Sequence, residues 1–533
     1  MKKTSLGVAF LLTAQSAGAM EWQTLGPRAM GMGGAYTAIA EGPITQYWNP
    51  AGLAESKGRY GFEIPIGAKA EFTGGVLKNA NNLADLAGKY DQITAAQQSG
   101  TAGAVDADKV GAFYKALANI SEMNQPGKGV LADISGGGGI RVGRFALSVL
   151  NYTEIGGSPF VDTVNVGLTG ISYAAANTTL CGGADCTIAP ANATNQASAS
   201  SIASAIGASG YTAINSITGG ALVGGGIDDE TELGNALVNM ATTNGMSPEQ
   251  IASAAASISQ NAAVVNPILQ SAAAGNSYQN NQTNLTLRGA SFTEMALGYG
   301  QALPWVPGLK LGGNFKLISG NIGYQRYQVL DKASGSSGGD ALKDFKANTE
   351  TTIKPAIDLG ALWHLKSMLP VLPFNPRVGL VARNINNPKF KQPASARANG
   401  DTADYPLNPQ YRAGVALSPF AFWHVAMDGD LSKNNTAVPG FQSQKVGLGT
   451  EINVFNRSWI NIPLRAGLAK NMADSGSKLA YSGGFGLNFL HFVFDIGGSI
   501  SSDRTEVKTG SGSSGSEKVP SNFSVAAQLG FVF

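Results

Sequence analysis

Apolar and polar residues alternate one by one through most of the C-terminal half of this chain. In residues 441–453, Val446, Leu448, Thr450 and Ile452 share one face, while Lys445, Gly447, Gly449, Glu451 and Asn453 share the other. In 459–470, Ile460, Ile462, Leu464, Ala466 and Leu468 alternate with Asn461 and Arg465. In 421–431, Trp423, Val425, Met427 and Leu431 lie opposite His424, Asp428 and Asp430. A period of two marks a β-strand whose faces meet different surroundings. The pattern predicts fourteen strands: 58–74, 130–141, 144–153, 282–299, 308–320, 350–364, 376–386, 408–418, 421–431, 441–453, 459–470, 479–489, 491–501 and 521–533. If the first strand runs outward, the connections sort by length. Those on the inner side are mostly short, and every connection of twelve residues or more falls on the outer side. Short turns at one end and long loops at the other are the asymmetry of a transmembrane antiparallel β-barrel, and an even strand count returns the chain to its starting side.

The ends of the chain agree. Phe533, Phe531, Leu529, Ala527 and Val525 form the apolar face of the last strand. An aromatic C-terminal residue resembles the assembly signal of bacterial outer-membrane barrels, so Phe531 and Phe533 are expected to engage the barrel assembly machinery and to close the wall against strand one. Lys2 and Lys3 followed by the apolar run Leu6–Ala14 and by Ala17-Gly18-Ala19 predict a signal peptide over 1–19, with the mature chain starting at Met20. No other run approaches the roughly 18 apolar residues of a spanning helix.

Composition sharpens this picture. Charged residues make up 14% of the chain, well below the roughly 25% of soluble proteins, as expected of strands with one face in lipid. A formal net charge of +2 excludes a nucleic-acid partner of the polybasic kind. The polar strand faces carry Lys354, Asp358, His364, Arg383, Arg412, His424, Asp428, Asp430, Lys445, Glu451, Arg465 and Asp495. A charge held in hydrocarbon costs roughly 2–4 kcal/mol near the midplane, so these residues must face the lumen. They read either as a polar conduit or as ion pairs that stabilise the wall. Asp428 and Asp430 sit two apart on one wall strand and do not make a catalytic pair. No zinc-type His/Cys cluster and no nucleophile–His–acid set appears, so the chain reads as a non-enzyme with no metal and no cofactor. The two cysteines, Cys181 and Cys186, are spaced to close a small loop disulfide in an exported protein.

Two outer connections are too long to be bare loops. In 75–129, Val110, Phe113, Leu117 and Ile120 share a helical face. In 154–281, Ser247-Pro248-Glu249-Gln250 reads as a capping box with proline at the first helical position. It leads into an apolar stripe of Ile251, Ala255, Ile258, Ala262 and Val265. Both insertions are expected to be helical and extracellular, with the Ala/Ser/Gly-rich residues 187–226 weakly ordered.

Between the signal peptide and the first strand, residues 28–40 read RAMGMGGAYTAIA and 47–54 read YWNPAGLA. Gly31, Gly33 and Gly34 do not follow a strand and are not a nucleotide loop. They suit close backbone packing in a confined interior. Asn49-Pro50 predicts an N-cap and first residue of a short helical turn. Together with Arg28, Ala51, Gly52 and Leu53, these motifs resemble the N-terminal segment of the FadL superfamily of outer-membrane transporters, in which an Asn-Pro-Ala element belongs to a hatch blocking a fourteen-stranded barrel. Within that superfamily the chain is most similar to conjugal-transfer TraF-like barrels, through Asp428–Leu431, Gly447-Leu448-Gly449-Thr450-Glu451 and Leu464-Arg465-Ala466-Gly467. The resemblance implies a plug over 20–57 and a barrel over 58–533, embedded in outer-membrane lipid. It implies passive uptake of a hydrophobic or amphipathic ligand. The alternative is a structural or cell-contact protein of conjugal transfer, with a closed lumen and a functional helical cap.

Overall fold

The computed structural model of the chain describes residues 20–56, 60–77, 107–162, 188–274, 282–328, 345–457, 459–508 and 516–533. Cys181 and Cys186 lie outside the described residues. Fourteen strands close into one antiparallel barrel. They are β1 (Tyr60–Thr73), β2 (Gly129–Val142), β3 (Phe145–Phe160), β4 (Asn284–Ala302), β5 (Leu309–Gln328), β6 (Thr349–His364) and β7 (Arg377–Arg383). The second half comprises β8 (Gln410–Phe420), β9 (Trp423–Asp430), β10 (Lys445–Asn453), β11 (Pro463–Asn471), β12 (Ala480–Phe489), β13 (Phe492–Ser501) and β14 (Asn522–Val532). Each strand pairs with its sequence neighbours, and β14 closes on β1 with Phe62 opposite Phe531 and Ile66 opposite Ala527. The C-terminus is fastened there, since the Phe533 N–H donates to the Tyr60 carbonyl at 2.7 Å.

The alternation read from the sequence is the alternation of the wall. Ile66, Leu147, Leu297, Leu359, Leu448 and Leu529 stand exposed on the outside, whereas Asp133, Glu294, Asp358, Glu451 and Gln528 are buried inside. An apolar exterior of this height on a closed barrel is the surface that lipid covers. Among the described residues no helix is long and apolar enough to cross a membrane.

Several strand limits move. β3 and β5 run to Phe160 and Gln328, beyond the expected ends at 153 and 320. β7 stops at Arg383, and β10 begins at Lys445 rather than 441. Residues 384–409 leave the wall and fold inward, burying Phe390, Tyr405 and Leu407 against Trp22 and Phe292. Alternation alone could not reveal this, because the segment packs as an irregular loop with its own two-stranded pairing of Lys389–Phe390 with Tyr405–Pro406. Residues 431–444 likewise reach across the mouth. Ala437, Val438 and Phe441 pack on Leu131 of β2, and the Gly127 N–H donates to the Pro439 carbonyl at 2.7 Å.

At the same end, the two insertions meet in one helical domain. Its helices include α1 (Ala107–Met123) from the first insertion and α2 (Gln196–Ile217), α3 (Glu230–Thr243) and α4 (Pro248–Ala274) from the second. The expected capping box is formed, with the Ser247 N–H donating to Gln250 Oε1 (2.9 Å) and the Gln250 N–H to Ser247 Oγ (3.4 Å). Ile251, Ala255, Ile258, Ala262 and Val265 are all buried. Residues 196–217, part of the run 187–226 expected to be weakly ordered, are instead helical on both sides of a kink at Gly207 (φ +62°). Ala199, Ile202, Ala203 and Ile206 recur at helical spacing and are buried, and Ala199 and Ala203 lie against Gly234 of α3. Small residues there permit close helix approach rather than disorder. Asn266 ties three helices, accepting from Tyr114 and donating to the carbonyls of Ala205 and Ile206. Truncating a core position of this domain, Ile258→Ala, is expected to destabilise it by about 2–5 kcal/mol. Limited proteolysis should then cut within 188–274 sooner, while the heat-modifiable gel migration of the barrel stays unchanged.

Candidate functional site: the filled lumen

Residues 20–56 run through the barrel interior and are buried almost throughout. Trp22, Leu25, Met32, Trp48, Ala51 and Leu53 have essentially no solvent contact. Two features seat this segment: a set of buried ion pairs and a set of inward glycines.

The main ion chain crosses from the segment into three strands. Arg28 reaches Glu451 of β10 in a two-pronged contact, Nε to Oε2 at 2.7 Å and Nη2 to Oε1 at 2.8 Å. Its third nitrogen, Nη1, meets Glu41 at 2.9 Å. Arg465 of β11 joins the same Glu451 (2.7 Å) to Asp495 of β13 (2.5 Å). The geometry suits a planar guanidinium between carboxylates. Burial works against the Arg28 charge, but Glu451, Tyr36 and Glu41 more than offset it and hold its pKa well above the ordinary value. A second set surrounds Arg383 and Arg412. Arg412 pairs with Asp430 at 2.7 Å and lies over Trp22 and Trp48. Arg383 pairs with Glu294 at 3.2 Å and lies 4.2 Å from the Tyr47 ring centroid. Lys316 completes this group between Glu294 (3.2 Å) and Asp358 (2.9 Å). Cations stacked on aromatic faces inside a dry interior are favourable contacts in their own right. Burial raises the Tyr47 hydroxyl to about 12, keeping it a neutral donor to the Gln23 carbonyl at 2.7 Å.

Single hydrogen bonds fix the turns. Asp428 Oδ2 accepts from the backbone N–H groups of Tyr36 and Thr37 at 2.9 and 2.8 Å. Asn49 caps the 3-10 turn Pro50–Ala54 by accepting from the Ala51 N–H (3.1 Å). Its amide donates to the carbonyls of Thr37 and of Ala361 in β6. The wall meets these turns with glycine. A Cβ on Gly312 would fall 2.3 Å from the Pro50 carbonyl, and one on Gly360 would fall 2.3 Å from Asn49 Oδ1. Gly33, with φ at +65°, brings its nitrogen and oxygen against Gly467 and Gly447. Here glycine is required both by the left-handed backbone and by the approach of two main chains.

At the short-turn end, Glu55 meets Lys310 at 2.6 Å and His364 at 2.5 Å. Arg141, fully buried, donates to the carbonyls of Leu53 and Glu55. Lys445 reaches the segment at its other end, meeting Glu21 at 2.9 Å, and Lys69 bridges Glu21, Glu71 and Asp133. Of the other inward residues expected from alternation, His424 contacts Ser418 at 2.8 Å. Lys354 faces inward on β6 and is only half-buried. Gly31, Gly52 and Leu53 lie within the buried segment.

Glu21, Glu63, Lys69, Asp133, Arg141, Glu154, Glu294 and Lys316 were not singled out by the sequence. Each stands at an inward position of a strand or in the buried segment, so extending the alternation through β1–β5 would have found most of them. The inward glycines gave a signal too, since Gly298, Gly300, Gly312, Gly360, Gly447, Gly449 and Gly467 recur at the polar-face register. Beside Gly33 and Gly34, toward the mouth, a vestibule of about 260 Å3 remains, lined by Glu21, Lys69, Asp133, Lys445, Ser499 and Ser524 among others.

This geometry defines a class: an outer-membrane-type β-barrel whose lumen is filled by its own N-terminal segment. The chain belongs to the family described as F plasmid transfer operon, TraF, protein, whose model matches residues 46–430. No curated protein matches it by sequence. Among solved structures, the CymD monoaromatic hydrocarbon channel aligns with 97% of this chain and 99% of its own, at 11% identity and TM-score 0.38. The Ralstonia pickettii toluene transporter TbuX aligns with 95% of this chain and 98% of its own, at 11% identity and TM-score 0.39. A Pseudomonas aeruginosa FadL homologue aligns with 97% and 100%, at 7% identity and TM-score 0.39.

The Glu55 latch generates a pH prediction. Burial alone would raise its carboxyl, but His364 and Lys310 hold it down at about 2, from an ordinary value of 4.5. A depressed carboxylate pKa adds stability that is present above pH 4.5 and is lost as pH falls toward 2. Glu55→Gln should therefore lower the unfolding temperature at neutral pH. The gap to wild type, read from heat-modifiable migration, should close as the pH is lowered through that window.

Proposed function

We propose that this chain is a bacterial outer-membrane protein whose lumen is shut at rest and whose work is done by the helical domain at the cell surface, as a structural or contact element of conjugal transfer. The observation that carries this reading is the seating of residues 20–56, a plug held by buried ion pairs on several strands and by backbone contacts at inward glycines. A segment held only as a swinging hatch would need far fewer charged contacts. Family membership supports the link to conjugal transfer. In this reading residues 1–19 are removed on export and the barrel assembly machinery takes the C-terminal strand with Phe531 and Phe533. The short turns face the periplasm, and the helical domain with the mouth loops faces outward.

The second reading is passive uptake of a hydrophobic or amphipathic small molecule through a displaced plug. The vestibule beside Gly33 and Gly34 favours it, since it leads from the mouth into the plug. Its lysines, carboxylates and serines suit an amphipathic solute better than a bare hydrocarbon.

Two measurements separate the readings. Wild-type protein in planar bilayers should stay closed, and Asn49→Ala combined with Pro50→Ala should raise its conductance by freeing the 3-10 turn. An unchanged conductance with the fold intact would overturn the plug assignment. Deleting 160–278 should abolish cell contact or transfer while leaving small-molecule flux as it was. Intact transfer with altered flux would instead favour uptake.

A further inference from the structure

Glu154 of β3 carries a fully buried carboxyl group. Its two oxygens accept backbone N–H groups, from Glu21 at 3.2 Å and from Ala437 at 2.6 Å. Among the described residues no lysine, arginine or histidine nitrogen pairs with it. The cations nearby are committed elsewhere. Lys69 serves Glu21, Glu71 and Asp133, Lys445 serves Glu21, Arg412 serves Asp430, and Arg383 serves Glu294. The group formed by Glu21, Glu71, Asp133 and Glu154 therefore outnumbers Lys69 and Lys445 two to one. A buried carboxylate without a counter-charge is costly, and proteins seldom leave one so.

Met20 is buried beside it, with only 5% of its surface exposed. Its carbonyl accepts from Gln410 Nε2 at 2.8 Å, which fixes the peptide that carries the Glu21 N–H. Successive backbone nitrogens lie roughly 3–3.6 Å apart. The Met20 nitrogen is thus no more than about 7 Å from the Glu154 oxygen that the Glu21 N–H contacts at 3.2 Å. In the uncut chain that nitrogen is a neutral amide.

We infer that the α-ammonium of Met20, freed when the leader is removed after Ala19, is the counter-charge of Glu154, so that processing completes the buried ion network and locks the N-terminal segment in place. The inference rests on the reading of residues 1–19 as a removed signal peptide. The step is hydrolysis. Water adds across the Ala19–Met20 peptide bond, leaving a carboxylate on Ala19 and an ammonium on Met20, with no redox partner. The unprocessed precursor can make every wall contact described above and still lacks this one.

The test is a coupling cycle on the mature chain. Intact mass of the exported protein should begin at Met20, and a different start overturns the processing site itself. The mature chain, unfolded in urea, is acetylated near neutral pH, where the α-amine reacts ahead of the lysines. It is then refolded in detergent. Acetylation should lower the folding equilibrium constant of wild type by about tenfold or more. It should have no effect in Glu154→Gln. An equal effect in both chains overturns the ion pair while leaving the processing site standing. If Glu154→Gln does not refold, folded wild type decides. Its α-amine should resist acylation until the chain is unfolded, and free reaction in the folded barrel overturns the inference.

Discussion

The structure depends on one constraint: charge placed inside a barrel must find a partner there. Lipid outside and a largely buried segment inside leave the inward residues little water to face. Arg28 answers this for the C-terminal wall. It binds Glu451, which binds Arg465, which binds Asp495, so one residue of the N-terminal segment links three strands. Remove the segment and Glu451 loses one of its two cations, while Asp428 loses two backbone donors and Arg383 its aromatic shelter. The segment and the wall are two halves of one electrostatic structure.

The mouth is built on a different principle. Residues 384–409 pack apolar side chains on the N-terminal segment, residues 431–444 pack theirs on Leu131 of β2, and the helical domain buries its own Ile, Leu and Ala core. Barrel interior and helical domain each have a core of their own. A surface domain with its own core can vary in shape without disturbing the ion network below it.

Much of this was legible in the sequence. Alternation located all fourteen strands because a two-sided environment writes itself directly into period two. The Asn49-Pro50 turn and the Ser247–Gln250 capping box were legible because caps are local. The inward charges were recognised as inward, but alternation gives only a side, not a partner. That Arg28 should choose Glu451 depends on how the barrel curls. The inward fold of 384–409 was hidden for the same reason, since its buried Phe390 and Tyr405 lie in an irregular loop without a period. The helix at 196–217 was hidden because an Ala/Ser/Gly-rich composition resembles that of a weakly ordered run, whereas at helical spacing its alanines let helices approach.

The chain separation in these contacts has a consequence for how the protein is made. Arg28 and Glu451 lie 423 residues apart, and Ser482 and Gly31 lie 451 apart. The part of the barrel-filling segment made first therefore waits for nearly the last strands. Until β10–β13 are in place, Arg28 lacks Glu451, and Gly33 lacks Gly447 and Gly467 to pack against. Wall closure and lumen filling are then a single late event, with a high loop-closure cost and little to hold a half-built form. An assembly intermediate would expose Trp22, Trp48 and several unpaired charges together.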